Sequence, residues 1–243
     1  MSLTDHSQII LNALHSRQTL SKSDLFSYVY SADPGISLSS FTWKLHQLKK
    51  KGLINSPSQG IYSIITENNF TPAVSSSLKR IHNKISKEFP YTQICVWDSR
   101  WFNELMLHQL FRYYLVIEVE KDSTEAVFNT MTDVSKKVFL NPTEDIFNRY
   151  IANFNEVIIV QSLISESPII EQGGIKIAPL EKLLVDCVAD KDLFAAQQSE
   201  IEFIFKTARS KYSINTSKIK RYARRRNQLD KIELLLNKTL ANK

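Results

Sequence analysis

The stretch that decides the fold of the first part of the chain is Ile36–Thr66, ISLSSFTWKLHQLKKKGLINSPSQGIYSIIT. A helix with one apolar stripe is predicted by four residues at helical spacing: Leu38, Phe41, Leu45 and Leu48. Three lysines and Gly52 then predict the end of this helix, because glycine readily adopts the left-handed conformation found there. Two short strands, at 53–54 and 61–64, flank a turn at 55–60. The stretch therefore predicts a helix followed by a tight β-hairpin.

Two further helices are predicted ahead of this stretch. The first covers about 4–17, and the second covers about 21–31, where Ser21 and Asp24 have the spacing of a capping box. The residues expected to face inward from the second helix are Leu25, Phe26, Val29 and Tyr30. Three helices and a hairpin in this order are the topology of a winged helix-turn-helix. We therefore expect residues 1–70 to form a winged helix-turn-helix DNA-binding domain.

The face of the third helix opposite its apolar stripe is the predicted DNA-binding surface. It presents hydroxyl, amide and amine groups, which bond to base edges and phosphates in a major groove. Together with two hairpin residues, the candidate DNA-binding residues are Ser39, Ser40, Trp43, Lys44, His46, Gln47, Lys50, Lys51, Gln59 and Tyr62. The alternative is an ordinary solvated face, with the lysines placed only to complement the helix dipole. Trp43 argues against that alternative, because a tryptophan side chain opposite the apolar stripe is expected to be covered. DNA, the hairpin or a second domain could cover it.

Beyond residue 70 the pattern changes to alternating strands and helices. Buried strands are predicted at 93–97, 113–119, 157–160 and 175–177. Helices are predicted at 74–89, 99–109, 123–138 and 145–150, after Pro179, and at 192–208, 216–226 and 229–240. We expect a mixed α+β protein in which residues 71–243 form an α/β domain with a helical C-terminal cap.

The net charge of +6 is unevenly distributed along the chain. Residues 1–70 carry +2, residues 71–203 carry −6 and residues 204–243 carry +10. The cations of the predicted helix at 216–226 form a candidate basic patch: Lys218, Lys220, Arg221, Arg224 and Arg225. Such an arc is either a solvated face or a surface for a polyanion or an acidic partner, and the absence of acids within it favours the second interpretation.

Three segments of the chain resemble a known family. They are Leu45–Ile54 (LHQLKKKGLI), Gly60–Ile64 (GIYSI) and Ile175–Asp186 (IKIAPLEKLLVD). The chain resembles the antitoxins and transcriptional regulators of AbiE-type abortive-infection systems, which act in phage defence. It departs from the commoner members at 57–59, where Pro-Ser-Gln occupies the wing tip and an arginine is frequent. The resemblance implies a winged helix that binds double-stranded DNA in the system's own promoter and a C-terminal domain that counteracts a nucleotidyltransferase-type toxin.

Three carboxylates support an alternative hypothesis, a metal-dependent, nuclease-like enzyme that the winged helix targets to nucleic acid. Asp98 follows one predicted strand, while Glu118 and Glu120 lie at the end of the next. Nuclease chemistry of this type needs a lysine two residues after an acid, whereas Lys121 follows the two glutamates by three residues and by one. The other interpretation is that these are ordinary charges at a strand end. Convergence of all three in an open cleft would favour the enzyme.

Composition limits the remaining classes of function. Apolar residues make up 43% and charged residues 23%, as in soluble globular proteins. No apolar run has the length of a membrane span, and MSLTDHSQII is unlike a signal peptide. Cys95 and Cys187 lie in apolar segments, and neither they nor the histidines have metal-ligand spacing. We expect a cytoplasmic, non-enzymatic protein with reduced core cysteines and with no cofactor, metal or membrane partner.

Overall fold

The computed structural model describes residues 6–17, 19–51, 53–64 and 68–241. The predicted helix end at Gly52 lies outside this part of the chain, as does Glu67 at the predicted domain boundary. The chain divides into two compact units. The first comprises Met1–Asn69 together with Ser213–Ser217, and the second comprises Phe70–Tyr212 together with Lys218–Lys243. The predicted division at residue 70 assigned Ser213–Ser217 to the second domain, whereas this short segment belongs with the N-terminal unit.

The first unit contains three helices and a three-stranded antiparallel sheet. In chain order its elements are α1 (His6–Arg17), β1 (Thr19–Ser21), α2 (Lys22–Ala32), α3 (Leu38–Lys50), β2 (Ile54–Ser58) and β3 (Ile61–Ile64). The strands lie in the order β1-β3-β2, with Leu20 paired to Tyr62. Strand β1 was not predicted, because its three residues are too few to show an alternating pattern.

The core of the first unit follows the helical periodicity, with two exceptions. Its buried residues are Ile10, Ala13, Leu14, Leu20, Leu25, Val29, Ile36, Phe41, Leu45, Leu48 and Ile54. The capping box of Ser21 and Asp24 is confirmed, since each side chain bonds the other's backbone nitrogen. Leu38 and Tyr30 were wrongly placed in the core and are 57% and 48% exposed. Each lies at a helix end, Leu38 in the first turn of α3 and Tyr30 in the last turn of α2.

The hairpin is tighter than the sequence indicated. Strand β2 continues to Ser58, so only Gln59 and Gly60 separate the strands. Pro57 lies inside β2. Proline is tolerated there because β2 is an edge strand, and a residue on the outer side of an edge strand needs no N–H for pairing. The ladder is irregular between Asn55 and Ser58. Gly60 has φ +75°, a conformation that favours glycine.

The second unit is a mixed sheet with surrounding helices. Its elements are α4 (Ser76–Glu88), β4 (Ile94–Asp98), β5 (Tyr113–Val119), α5 (Thr124–Thr132), β6 (Val138–Leu140), α6 (Glu144–Arg149), β7 (Glu156–Ser162), β8 (Ile170–Gln172), β9 (Ile175–Ile177), α7 (Leu180–Ala189), α8 (Ile201–Lys211), α9 (Thr216–Arg225) and α10 (Leu229–Ala241). Residues Ser99–Leu105 form a 3₁₀ segment where a longer helix was predicted. The predicted helix at 123–138 ends at Thr132, and its last residue begins β6.

The six strands of the second unit lie in the order β6-β7-β5-β4-β9-β8. β5, β6 and β7 are mutually parallel, with seven residue pairs between β5 and β7. β4 runs antiparallel to β5 and parallel to β9. Both cysteines are buried and unbridged, as predicted, and burial raises the pKa of each thiol. None of the helices within the described residues combines the length and apolarity needed to cross a membrane.

We predict that Gly60→Ala lowers the stability of the protein. A Cβ at this position meets no atom within 4 Å, so the cost arises from the left-handed backbone alone. For an L-residue that cost is about 1–2 kcal/mol. Urea unfolding would measure the change, with Gln59→Ala in the same turn as the control. Equal stability of the two variants would contradict the prediction.

Candidate nucleic-acid interface

The N-terminal end of α3 is held by serine hydroxyls. Ser37 is the N-cap, and its Oγ accepts the Ser40 backbone N–H at 3.1 Å. The Oγ of Ser37 also lies 2.9 Å from that of Ser39 and donates to that of Ser40 at 3.0 Å. Both candidate serines are exposed, but their hydroxyls already take part in this capping network. Their first role is therefore to hold the end of the helix.

The middle of α3 presents an uncovered aromatic ring. Trp43 is 56% exposed on the face opposite the buried Phe41 and Leu45. The Nζ of Lys44 lies 5.7 Å from the centroid of the Trp43 ring, which is a cation–π distance. An exposed tryptophan next to a cation can pack against a planar or apolar group of a ligand while the cation neutralises an anion.

The C-terminal half of α3 carries the remaining polar candidates. His46, Lys50 and Lys51 are exposed, and Gln47 is half-buried beside them. Gln59 is exposed in the hairpin turn. Tyr62 does not join this surface, because its ring packs against the core of the first unit. The candidate side chains of α3 are therefore exposed or half-buried, whereas Tyr62 belongs to the packing of the core.

The basic patch on α9 separates into two kinds of cation. Lys220 pairs with Glu233 at 2.8 Å, and Lys218 lies 3.9 Å from Glu181. The three arginines are exposed: Arg221, Arg224 and Arg225. The Nε of Arg225 donates to Ser165 Oγ at 2.6 Å. The opposite face of α9 packs inward, with Ile219, Tyr222 and Ala223 buried. The surface available to a partner consists mainly of arginine, which suits bidentate binding of carboxylate or phosphate.

The three carboxylates of the nuclease hypothesis do not converge. Asp98 pairs in the sheet with Leu115, three residues from Glu118, which corresponds to about 10 Å along the strand. Asp98 is buried and bound to Arg100 at 2.6 Å, and this bond helps to raise the pKa of the guanidinium. Glu120 is exposed beyond the end of β5. Within the described residues no group of three His, Cys, Asp or Glu side chains could hold a metal ion.

Glu118 instead belongs to a buried ionic cluster that the sequence did not reveal. The Nζ of Lys182 lies 2.7 Å from a Glu118 carboxylate oxygen and 2.5 Å from Asp186 Oδ2. The hydroxyl of Tyr222 donates to Asp186 Oδ1 at 2.8 Å. Burial disfavours the charge on Lys182, but the carboxylates of Asp186 and Glu118 outweigh it and keep the pKa of the lysine well above its ordinary value. The sequence predicts a helix after Pro179 but does not show that Lys182 is buried, because a helix buried on every side, as α7 is over residues 180–188, has no exposed face to which a charged residue can be assigned.

We predict that Lys182→Met strongly destabilises the second unit. The substitution preserves much of the volume but leaves the buried Glu118 without its counter-ion and Asp186 with Arg226 alone, a loss of about 3–5 kcal/mol. Chemical denaturation at neutral pH would measure it, with Lys176→Met as the control, because Lys176 is exposed on β9. A loss no larger than that of the control would show that the cluster contributes little.

A protein-family model matches most of the chain. The protein family whose model matches residues 40–242 is described as a family of unknown function (DUF6577). The match begins within α3 and extends into α10, so it includes residues of both units. No curated protein matches the chain.

Proposed function

This chain belongs to the DUF6577 family, described as of unknown function, and we propose that it is a DNA-binding transcriptional regulator. In this proposal the first unit is a winged helix, α3 is the recognition helix and the β2–β3 hairpin is the wing. The order of its elements supports this assignment, including the short β1 that pairs with β3. The observation that carries the proposal is the exposed face of α3, where Trp43 and Gln47 lie beside Lys44, Lys50 and Lys51.

The side chains of this face divide between base and phosphate contacts. Gln47 offers an amide that can bond adenine in two places, and Trp43 and the exposed Leu38 offer apolar contact to thymine methyl groups. Lys44, Lys50 and Lys51 suit backbone phosphates, because ammonium groups neutralise phosphate without a fixed geometry. Ser39 and Ser40 would contact the nucleic acid only while keeping their capping bonds.

Gln47→Ala and Lys50→Ala should affect DNA binding differently. Losing a base contact at Gln47 should cost about 1–3 kcal/mol on the preferred sequence and little on random duplex. Losing a phosphate contact at Lys50 should weaken both and reduce the slope of log K against log salt by about one. Fluorescence anisotropy with selected and random duplexes, over a range of salt concentrations, would measure both effects. If both variants kept the wild-type affinity and the wild-type salt dependence, α3 would not be part of the DNA interface.

We further propose that the second unit docks an acidic protein partner, as an autoregulating antitoxin docks its toxin. The three exposed arginines of α9 are the observation that favours this role, because they concentrate positive charge on one helix while the preceding stretch, residues 71–203, carries −6. The resemblance to AbiE-type regulators indicates the kind of partner, a nucleotidyltransferase-type toxin. A carboxylate-rich surface would match the arginines through paired hydrogen bonds.

Reversing Arg221, Arg224 and Arg225 to Glu should abolish partner binding without unfolding the protein. The buried Ile219, Tyr222 and Ala223 are unchanged, so α9 should keep its packing. The matched control reverses three exposed lysines elsewhere in the second unit: Lys87, Lys136 and Lys191. Both variants change the net charge equally, so only a local effect separates them. Toxin-rescue and DNA-binding assays on folded samples would test this, and equal behaviour of the two variants would leave the patch as a solvated surface.

A further inference from the structure

A small polar cavity lies in the second unit at the carboxyl ends of its parallel strands. Its volume is about 230 Å³. Glu118 near the end of β5, Asn141 just after β6, and Gln161 and Ser162 at the end of β7 all line it. Ligands of open α/β sheets bind characteristically at this edge, outside the carboxyl ends of the strands. The cavity has the location of a binding site, and neither the α3 face nor the α9 patch includes it.

The opposite wall brings charges of both signs to the cavity. It is formed by Asp186 and Asp190 at the end of α7 and by Arg226 just after α9. The Nε of Arg226 lies 3.3 Å from Asp186 Oδ1, and Lys182 pairs with both Asp186 and Glu118. Two carboxylates are therefore balanced by two cations.

Asp190 is the carboxylate without a counter-ion. Its Oδ1 accepts the backbone N–H of Leu193 at 3.1 Å, and no ion pair involves it among the described residues. Burial raises the pKa of Asp190, although the bond from Leu193 and the nearby Arg226 oppose that change. The fold thus keeps a carboxylate where its charge is disfavoured, a pattern more common at binding sites than at structural positions.

The neutral polar groups in the wall are Asn141, Gln161 and Ser162, each of which can both donate and accept hydrogen bonds. The amide nitrogen of Gln161 donates to Glu118 Oε1 at 3.0 Å, which leaves the Gln161 oxygen free to accept. Asn141 has φ +41°, an uncommon conformation for a residue with a side chain, and such residues concentrate at ligand sites. A ligand with a positive charge and hydrogen-bond donors would complement Asp190 and the oxygen of Gln161.

We propose that this cavity binds a small metabolite through a primary ammonium group, which pairs with Asp190. The ammonium also donates to acceptors such as the oxygen of Gln161. The volume admits an amino acid or a short diamine. An amino acid would in addition present its carboxylate to the guanidinium of Arg226. The proposal does not depend on DNA binding.

The test uses the full chain, with thermal unfolding and calorimetry at neutral pH. The probes are the individual L-amino acids, the diamines putrescine and cadaverine, and carboxylic acids of matched chain length that lack the amine. At least one amine should raise Tm saturably while its amine-free match does not. Stabilisation by amino acids alone assigns the α-amino acid class, and stabilisation by diamines alone assigns the diamines.

Two variants and a control determine whether Asp190 binds the ammonium group. Asp190→Asn retains an acceptor for Leu193 and should weaken binding at least about tenfold, since a charged hydrogen bond is lost. Asp192→Asn is the control, because Asp192 is exposed two residues further on. Asn141→Gly is a second test in case Asp190→Asn fails to fold. Glycine accepts the positive φ of this position, and loss of the Asn141 side chain from the cavity wall should also weaken binding.

Without ligand, Asp190→Asn should unfold at a higher temperature than wild type at neutral pH. The raised pKa of Asp190 means that its ionisation destabilises the folded protein, so the advantage should vanish below the ordinary pKa of the carboxyl group. Absence of stabilisation by every amine, or an equal response of Asp190→Asn and Asp192→Asn, would overturn the proposal.

Discussion

Lys182 is fully buried and contacts the carboxylates of Glu118 and Asp186, so it connects β5 to α7. Tyr222 extends the cluster to α9 through its bond to Asp186, and Arg226 adds a second cation. Burying an ion pair gives little net stability, whereas removing one partner is strongly destabilising. The cluster therefore acts mainly as a constraint on geometry. It fixes the strand edge that lines the cavity and orients α9 so that its arginines face solvent.

In the first unit the corresponding constraint is the periodicity of α3. Phe41, Leu45 and Leu48 fill the core, and the same geometry directs Trp43 and Gln47 to the outside. Trp43 and the neighbouring Leu38 are both more than half exposed on α3, so this helix offers apolar surface beside its polar side chains. The proposed role in DNA recognition follows from this arrangement, and the capping serines give α3 a defined starting point.

Helices and strands could be predicted from the sequence where the periodic pattern of apolar residues was long enough to recognise. The hairpin, the capping box at Ser21 and the strand at 113–119 follow from periodicity and turn chemistry. The three-residue strands β1 and β6 show no alternation, so β6 was partly assigned to a helix. For the candidate site, sequence periodicity identified the exposed face of α3, but it could not show that Lys218 and Lys220 meet glutamates from other helices. The burial and ion pairs of Lys182 were missed for the same reason, because contacts between distant parts of the chain do not show in the spacing of nearby residues.

The sheet of the second unit joins strands that are far apart in the chain, and this affects the order in which the protein folds during synthesis. Val96 in β4 pairs with Ile177 in β9, so that pairing forms only after most of the chain has been made. Contacts of such separation slow folding, because a long loop must close first. Glu118 is translated well before Lys182 and has no counter-ion until α7 emerges. The second unit therefore completes its sheet and its ionic cluster late in synthesis, when β5 and β7 have already been made.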